Sequence, residues 1–210
     1  RDYGNRAGHW RMMDVMDKYG VRGSVSLNVA VCEHHPEIIE ACADRDWEFF
    51  SHGVYNTRYC YGMSEDDERR IIADAFETVE RHTGQKISGW LAPALTHTHS
   101  TMDLLAEAGI LYTCDLFCDD QPQPVNVRNG RLISVPYSLE MNDIIVYNVS
   151  NQSPRRSAEM LKAPFDQLYA VGAESGTVRC IPTHPFAGGR PQRIEAFVDA
   201  LESITGHDAV

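Results

Sequence analysis

The chain has no apolar run approaching the roughly 20 residues needed to cross a bilayer. It is also short of positive charge: 19 Lys and Arg against 30 Asp and Glu give a net charge of −11 over 210 residues. The first absence argues against a membrane partner. The second argues against a nucleic-acid partner, because such partners recruit basic patches, and leaves a small neutral substrate open. There is no C-x-x-C pair among Cys32, Cys42, Cys60, Cys114, Cys118 and Cys180, and the C-x-x-x-C spacing of Cys114 and Cys118 fits no common zinc ribbon. Most of these cysteines sit in apolar surroundings, as reduced thiols of a cytoplasmic protein do. The phosphate-binding patterns G-x-x-x-x-G-K-[ST] and G-x-G-x-x-G are missing. So is the G-x-S-x-G elbow of a serine hydrolase. Linkers, low-complexity stretches and short-period repeats are absent as well, so the chain reads as a single domain, residues 1–210, with 43% apolar residues to build its core.

What is present alternates between strand and helix patterns. Trp10, Met13, Met16 and Tyr19 recur near helical spacing over residues 6–19, and Gly20 stops that helix. Strand-like runs appear at 21–31, 47–51, ISGWLAPA, ILYTCDLFCDD, the segment after Asn129-Gly130, and TVRCIPTH. Helices are expected from Pro36, from the S-x-x-D capping box at Ser64 to about His82, over THSTMDLLAEAG, over 155–171, and over RPQRIEAFVDALESI. Such alternation indicates βαβ units, an α/β fold and a parallel sheet. In a (β/α) barrel the C-terminal strand ends build the active site. Polar residues cluster at those positions here: His52, Asp115, Asp119, Asp120 and His184.

His52 ends the apolar run Trp47-Glu48-Phe49-Phe50, and His184 ends TVRCIPTH. Two histidines at equivalent strand ends, with acids at a third, point to a site, and imidazole suits proton transfer at neutral pH. Asp119 and Asp120, with Asp115, are placed to hold a cation, to orient a histidine, or only to form a solvated turn before Gln121-Pro122-Gln123-Pro124. Thr96-His97-Thr98-His99 reads as an exposed loop ahead of an N-cap at Ser100. FAGGRPQR reads as a tight turn, and RDYGNRAG as a substrate loop or an N-terminal turn.

Taken in order, DYGNRAGHWRMMDVMDKYGVRGSVSLN, PEIIEACADRDWEFFSHG, GWLAPALT, DLFCDDQPQPV, GRLISVPYSLEMND and PTHPFAGG resemble the polysaccharide deacetylase (NodB-homology) superfamily. Within it they are most similar to the branch of PuuE-type allantoinases and cyclic imide hydrolases. The resemblance implies a distorted (β/α) barrel and hydrolysis of carbon–nitrogen bonds, in N-acetyl groups of sugars or in amides of small rings. It implies that the chain starts after the family's first strand, which carries an acidic motif, and that Gly206–Val210 would open the last one. His52 matches the first histidine of the family's metal motif H-x-x-x-H, but the second falls on Asn56. An asparagine carbonyl is a poor zinc ligand, so His52 as a metal ligand loses a partner there. Leu91-Ala92-Pro93-Ala94-Leu95 lacks the arginine of the family's R-x-P-x-G. His184 matches the family's final histidine, which protonates the leaving group or activates water.

The resemblance therefore implies catalytic roles for His184, His52, Asp119 and Asp120, and substrate contacts at Asn56, Tyr55, Pro93, Thr96 and Glu140. The one cofactor it suggests is a divalent metal ion such as zinc. The expected reaction is hydrolysis of a small cyclic amide, imide or ureide by a cytoplasmic homo-oligomer. Deacetylation of an N-acetylated polysaccharide and ligand binding without catalysis are the alternatives.

Overall fold

A computed structural model describes residues 2–208. Its elements run α1 (His9–Lys18), β1 (Ser24–Leu27), α2 (Val31–His34), α3 (Pro36–Ala43), β2 (Glu48–Ser51), α4 (Glu65–Thr83), β3 (Gly89–Trp90), α5 (Thr101–Glu107), β4 (Tyr112–Thr113), β5 (Gln123–Pro124), β6 (Ile133–Ser134), α6 (Pro154–Gly172) and α7 (Ile194–Ile204). They fall into two compact units. One is Gly23–Pro136; the other takes the residues up to Arg22 together with those from Tyr137 onward.

The Gly23–Pro136 unit holds the whole sheet, in the order β1-β2-β3-β4-β6-β5. Every pairing is parallel except that of β5 with β6. A parallel sheet must bury both faces, and its strands accordingly read as apolar runs. Phe49, Phe50, Trp90, Leu91 and Leu132 are all buried. Helix α4 shows how sequence builds this unit. Ser64 Oγ accepts the N–H of Asp67, Gly84 closes the helix in the left-handed region, and Ile71, Ile72, Ala75, Thr78 and Val79 form its buried face. Glu68 shares that face. Its carboxylate accepts hydroxyl protons from Thr98 and Thr101, each at 2.5 Å, and Glu65 accepts that of Ser100 at 2.6 Å. These bonds fix the Thr96–Ser100 loop, with His97 and His99 turned to solvent as expected.

In the second unit, Met12, Phe197 and Leu201 form a core with Val15, Met16, Tyr19, Val21, Ile181 and Ile194 packed on it, so α1 and α7 share one apolar seam. A π-helical turn, Gly4–Gly8, precedes α1. Its Asn5 carbonyl accepts the Trp10 indole N–H, and Arg11 donates to the Gly189 carbonyl at 2.5 Å. The turn after His184 is thereby tied to the first helix.

Two expected strands differ. ILYTCDLFCDD contracts to Tyr112–Thr113, so the acid beside its end is Asp115, while Asp119 and Asp120 lie farther on in an exposed loop. TVRCIPTH forms no strand among the described residues. Its backbone is engaged elsewhere: the Pro182 carbonyl accepts the Asp143 N–H, the His184 N–H goes to the Asp143 carboxylate, and Pro182 has no N–H to give a ladder. The sixth strand is instead β5, an antiparallel edge drawn from the proline-containing residues that follow Asp119 and Asp120. Residues 206–208 are turn-like, and the rest of the segment expected to open a last strand lies outside the described residues.

Candidate active site

His52 stands one residue beyond β2, where the apolar strand ends. Its backbone N–H bonds to the Leu27 carbonyl at 2.8 Å, and its own carbonyl accepts from Asn28 Nδ2 at 2.7 Å. Ring atom Nδ1 lies 2.6 Å from the Leu91 carbonyl. A carbonyl only accepts, so Nδ1 carries the proton. The next residue, Gly53, has φ +65°, and a Cβ there would come within 3.3 Å of the Pro93 ring. Glycine at this position lets the chain turn away while the loop after β3 stays close. That loop is itself strained, with Ala94 and Leu95 both at positive φ.

Asp115 follows β4 and is 1% exposed. Oδ1 accepts the Ala92 N–H at 2.8 Å, while Oδ2 is buried without a hydrogen-bond partner. Burial pushes this carboxyl up from 3.8 to about 7, against the opposing pull of the Ala92 N–H and Thr113. A carboxyl whose pKa lies higher in the folded than in the unfolded chain binds its proton more tightly when folded. Its contribution to stability is full below 3.8 and is lost as pH rises through about 7. The melting temperature of Asp115→Asn therefore rises relative to wild type between about pH 4 and pH 8. A gap that stays constant over that range would show that burial of this charge is not felt.

In the other unit, His184 Nδ1 donates to Asp143 Oδ1 at 2.6 Å. The second oxygen, Oδ2, accepts the backbone N–H groups of His184 and Gly188, each at 2.8 Å. Asp143 is buried and the His184 side chain is 27% exposed, so the pair has one enclosed and one accessible end. A Cβ on Gly188 would meet Asp143 Oδ2 at 2.8 Å, so this position needs glycine for the approach of its N–H. Phe186 packs edge-on against the imidazole.

The acid that orients His184 is thus Asp143, which the sequence reading passed over, and not Asp119 or Asp120. Asp119 accepts from the Gln121 N–H and the Gln123 side chain, stabilising its own turn. Among the expected substrate contacts, Tyr55 is half exposed and Asn56 partly buried on the loop after His52. Pro93 is buried, and the Thr96 hydroxyl bridges the Pro93 carbonyl and the Cys60 N–H. Glu140 lies in the His184 unit, paired with Arg179 at 2.5 Å. No group of three His, Cys, Asp or Glu side chains suited to a metal ion occurs among the described residues. With Asn56 at the second motif position, the described residues do not fit the zinc site implied by the H-x-x-x-H resemblance.

Comparison with known proteins follows this geometry. The sequence profile of the polysaccharide deacetylase family matches residues 2–113, more than half of the chain. A Schizosaccharomyces pombe protein, provisionally assigned as a polysaccharide deacetylase, is 23% identical over 228 residues, covering 100% of this chain and 70% of its own. The solved structure of PuuE allantoinase superposes with a TM-score of 0.88 at 29% identity, covering 99% of this chain and 69% of that one. A probable polysaccharide deacetylase from Pseudomonas aeruginosa PAO1 gives 0.88 at 28%, with coverages of 99% and 69%. A Mycobacterium smegmatis protein with the same provisional assignment gives 0.89 at 27%, with 99% and 73%.

Proposed function

Because the chain belongs to the polysaccharide deacetylase family, we propose that it hydrolyses a non-peptide carbon–nitrogen bond, in a small cyclic amide, imide or ureide. The observation that carries this reading is the Asp143–His184 pair, an acid–imidazole couple with a buried carboxylate and a partly exposed imidazole. Amide hydrolysis needs an activated water, stabilisation of the developing oxyanion and a proton for the departing nitrogen. The water oxygen bonds to the carbonyl carbon as the C=O π pair moves onto oxygen and a water proton passes to His184 Nε2. When the C=O bond re-forms, the carbon–nitrogen pair leaves on nitrogen, which takes that proton back from Nε2. Asp143 holds the ring in the orientation that points Nε2 outward, and its carboxylate stabilises the positive charge that Nε2 acquires on protonation.

Within the Gly23–Pro136 unit, His52, with Nδ1–H committed to the Leu91 carbonyl, is assigned the binding of a water through Nε2. Asn56 offers an amide donor and an acceptor, the pair an imide edge presents in reverse. No step is assigned to a metal ion, since the described donor set does not fit one. PuuE allantoinase, with its ring ureide substrate, supports the cyclic-substrate reading over an N-acetylated sugar.

The six cysteines are thiols rather than disulfides among the described residues, which supports a cytoplasmic setting. Burial pushes Cys32 and Cys180 up to about 11 and Cys42 and Cys60 to about 12, as suits structural thiols. No helix among the described residues is long and apolar enough to cross a membrane.

The test is turnover of succinimide, hydantoin and allantoin by the complete protein, with elemental analysis of the same sample. Ring opening of any one of them is the expected result. Release of acetate from chitooligosaccharides instead, with stoichiometric zinc and loss of activity to chelators, replaces this reading with metal-dependent deacetylation. Inertness towards both classes leaves a ligand-binding protein.

A further inference from the structure

Leu91 and Ala92 share one peptide group just past β3, and both of its polar atoms are taken by side chains from neighbouring strand ends. The Leu91 carbonyl accepts the Nδ1 proton of His52 at 2.6 Å, and the Ala92 N–H donates to Asp115 Oδ1 at 2.8 Å. Register explains the meeting. Ser51 of β2 pairs with Trp90 of β3, and Trp90 pairs with Thr113 of β4, so His52, the Leu91–Ala92 peptide and Asp115 are adjacent one to two residues beyond the paired ends.

On the basis of the role proposed for His52, we propose that Asp115 is its positioning residue, acting through the Leu91–Ala92 peptide as a hydrogen-bonded relay of carboxylate, amide and imidazole. A negative charge on the N–H side polarises the amide and makes its carbonyl a stronger acceptor. The stronger acceptor holds the imidazole proton on Nδ1 and leaves Nε2 richer in electrons, as outer partners do for functional histidines elsewhere. A purely structural cap on the Ala92 N–H does not require a charge: a neutral oxygen would serve. Asp115 instead keeps Oδ2 buried and unpartnered, at a cost in desolvation. Its Oδ1 accepts the N–H of the same peptide whose carbonyl His52 grips.

Two variants of the complete protein cut the relay at different points. Asp115→Asn keeps an oxygen for the Ala92 N–H and removes the charge. Lactic acid incorporated at position 92 turns the Leu91–Ala92 amide into an ester, removing the N–H and leaving both side chains intact. The primary readout is the His52 Nδ1 proton resonance, recorded above about pH 8, where the Asp115 carboxyl is ionised. The expected result is an upfield shift in both variants and no further shift when they are combined. With it goes a roughly 10–100-fold fall in kcat at nearly constant KM.

A ring resonance that ignores Asp115→Asn but moves with the ester reduces Asp115 to a cap and overturns the relay. So does a resonance that moves in neither. If Asp115→Asn does not fold, ionisation of Asp115 in the unaltered chain decides: a ring resonance that moves downfield as pH rises through about 7 in wild type but not in the ester supports the relay, and one that moves in neither overturns it. The resonance needs no substrate, so the relay survives or falls independently of whether the protein opens cyclic amides.

Discussion

His184→Ala lowers kcat on a cyclic amide by roughly 10²–10⁴-fold, the range for loss of a general acid or base, and leaves thermal unfolding nearly unchanged. The two halves of that expectation have separate causes. The imidazole is 27% exposed, and its removal uncovers little. Asp143 keeps the backbone N–H groups of residue 184 and Gly188 on Oδ2, so its carboxylate is not stranded. Measuring kcat and the unfolding midpoint on the same preparation checks both. A wild-type rate in the folded variant removes His184 from the chemistry.

Asp143→Asn has a comparable effect by a different route. An asparagine that keeps an oxygen towards the two backbone N–H donors must turn its NH2 towards His184 Nδ1, which then has to become the acceptor. The ring proton moves to Nε2, and the accessible nitrogen has the wrong protonation for accepting a proton. Loss of tautomer control of this kind costs roughly 10⁴-fold in a serine-protease triad, and the same order is expected here. If the side chain flips instead, the amide group faces two N–H donors, and stability drops by about 1–3 kcal/mol. Denaturant titration distinguishes the outcomes. Because both residues act as one unit, the double variant with His184→Ala should be no slower than His184→Ala alone. Full activity in a folded Asp143→Asn would show that the pair is structural.

Much of the fold was legible because local chemistry and tertiary packing agree. The Ser64 box, Pro36 at a first turn and the run into His52 each carry a short-range signal, and each element formed there. TVRCIPTH looked like a strand for a good reason, since an apolar run of that length suits a buried ladder. What it lacked is invisible in one sequence: a neighbouring chain with open N–H and C=O groups. Here the neighbour is Asp143, whose side chain takes the place of a strand. Asp143 lies in SLEMND, and nothing in the spacing ties it to a histidine 41 residues later. Asp115 was grouped with Asp119 and Asp120 as one acidic cluster. Strand alternation does not separate them, because residues 113, 115 and 119 share one side; what separates them is the end of β4 at Thr113, which leaves Asp115 buried beside the strand and the other two in an exposed loop.

The sheet ends differently at its two margins. β5 is only Gln123–Pro124, and proline offers no proton to a newcomer. β1, at the opposite margin, has four residues including Val25 and Leu27 and no proline. Strand addition between molecules, the first step towards fibrillar aggregation, is therefore discouraged chemically at one border. At the other it has no such proline guard.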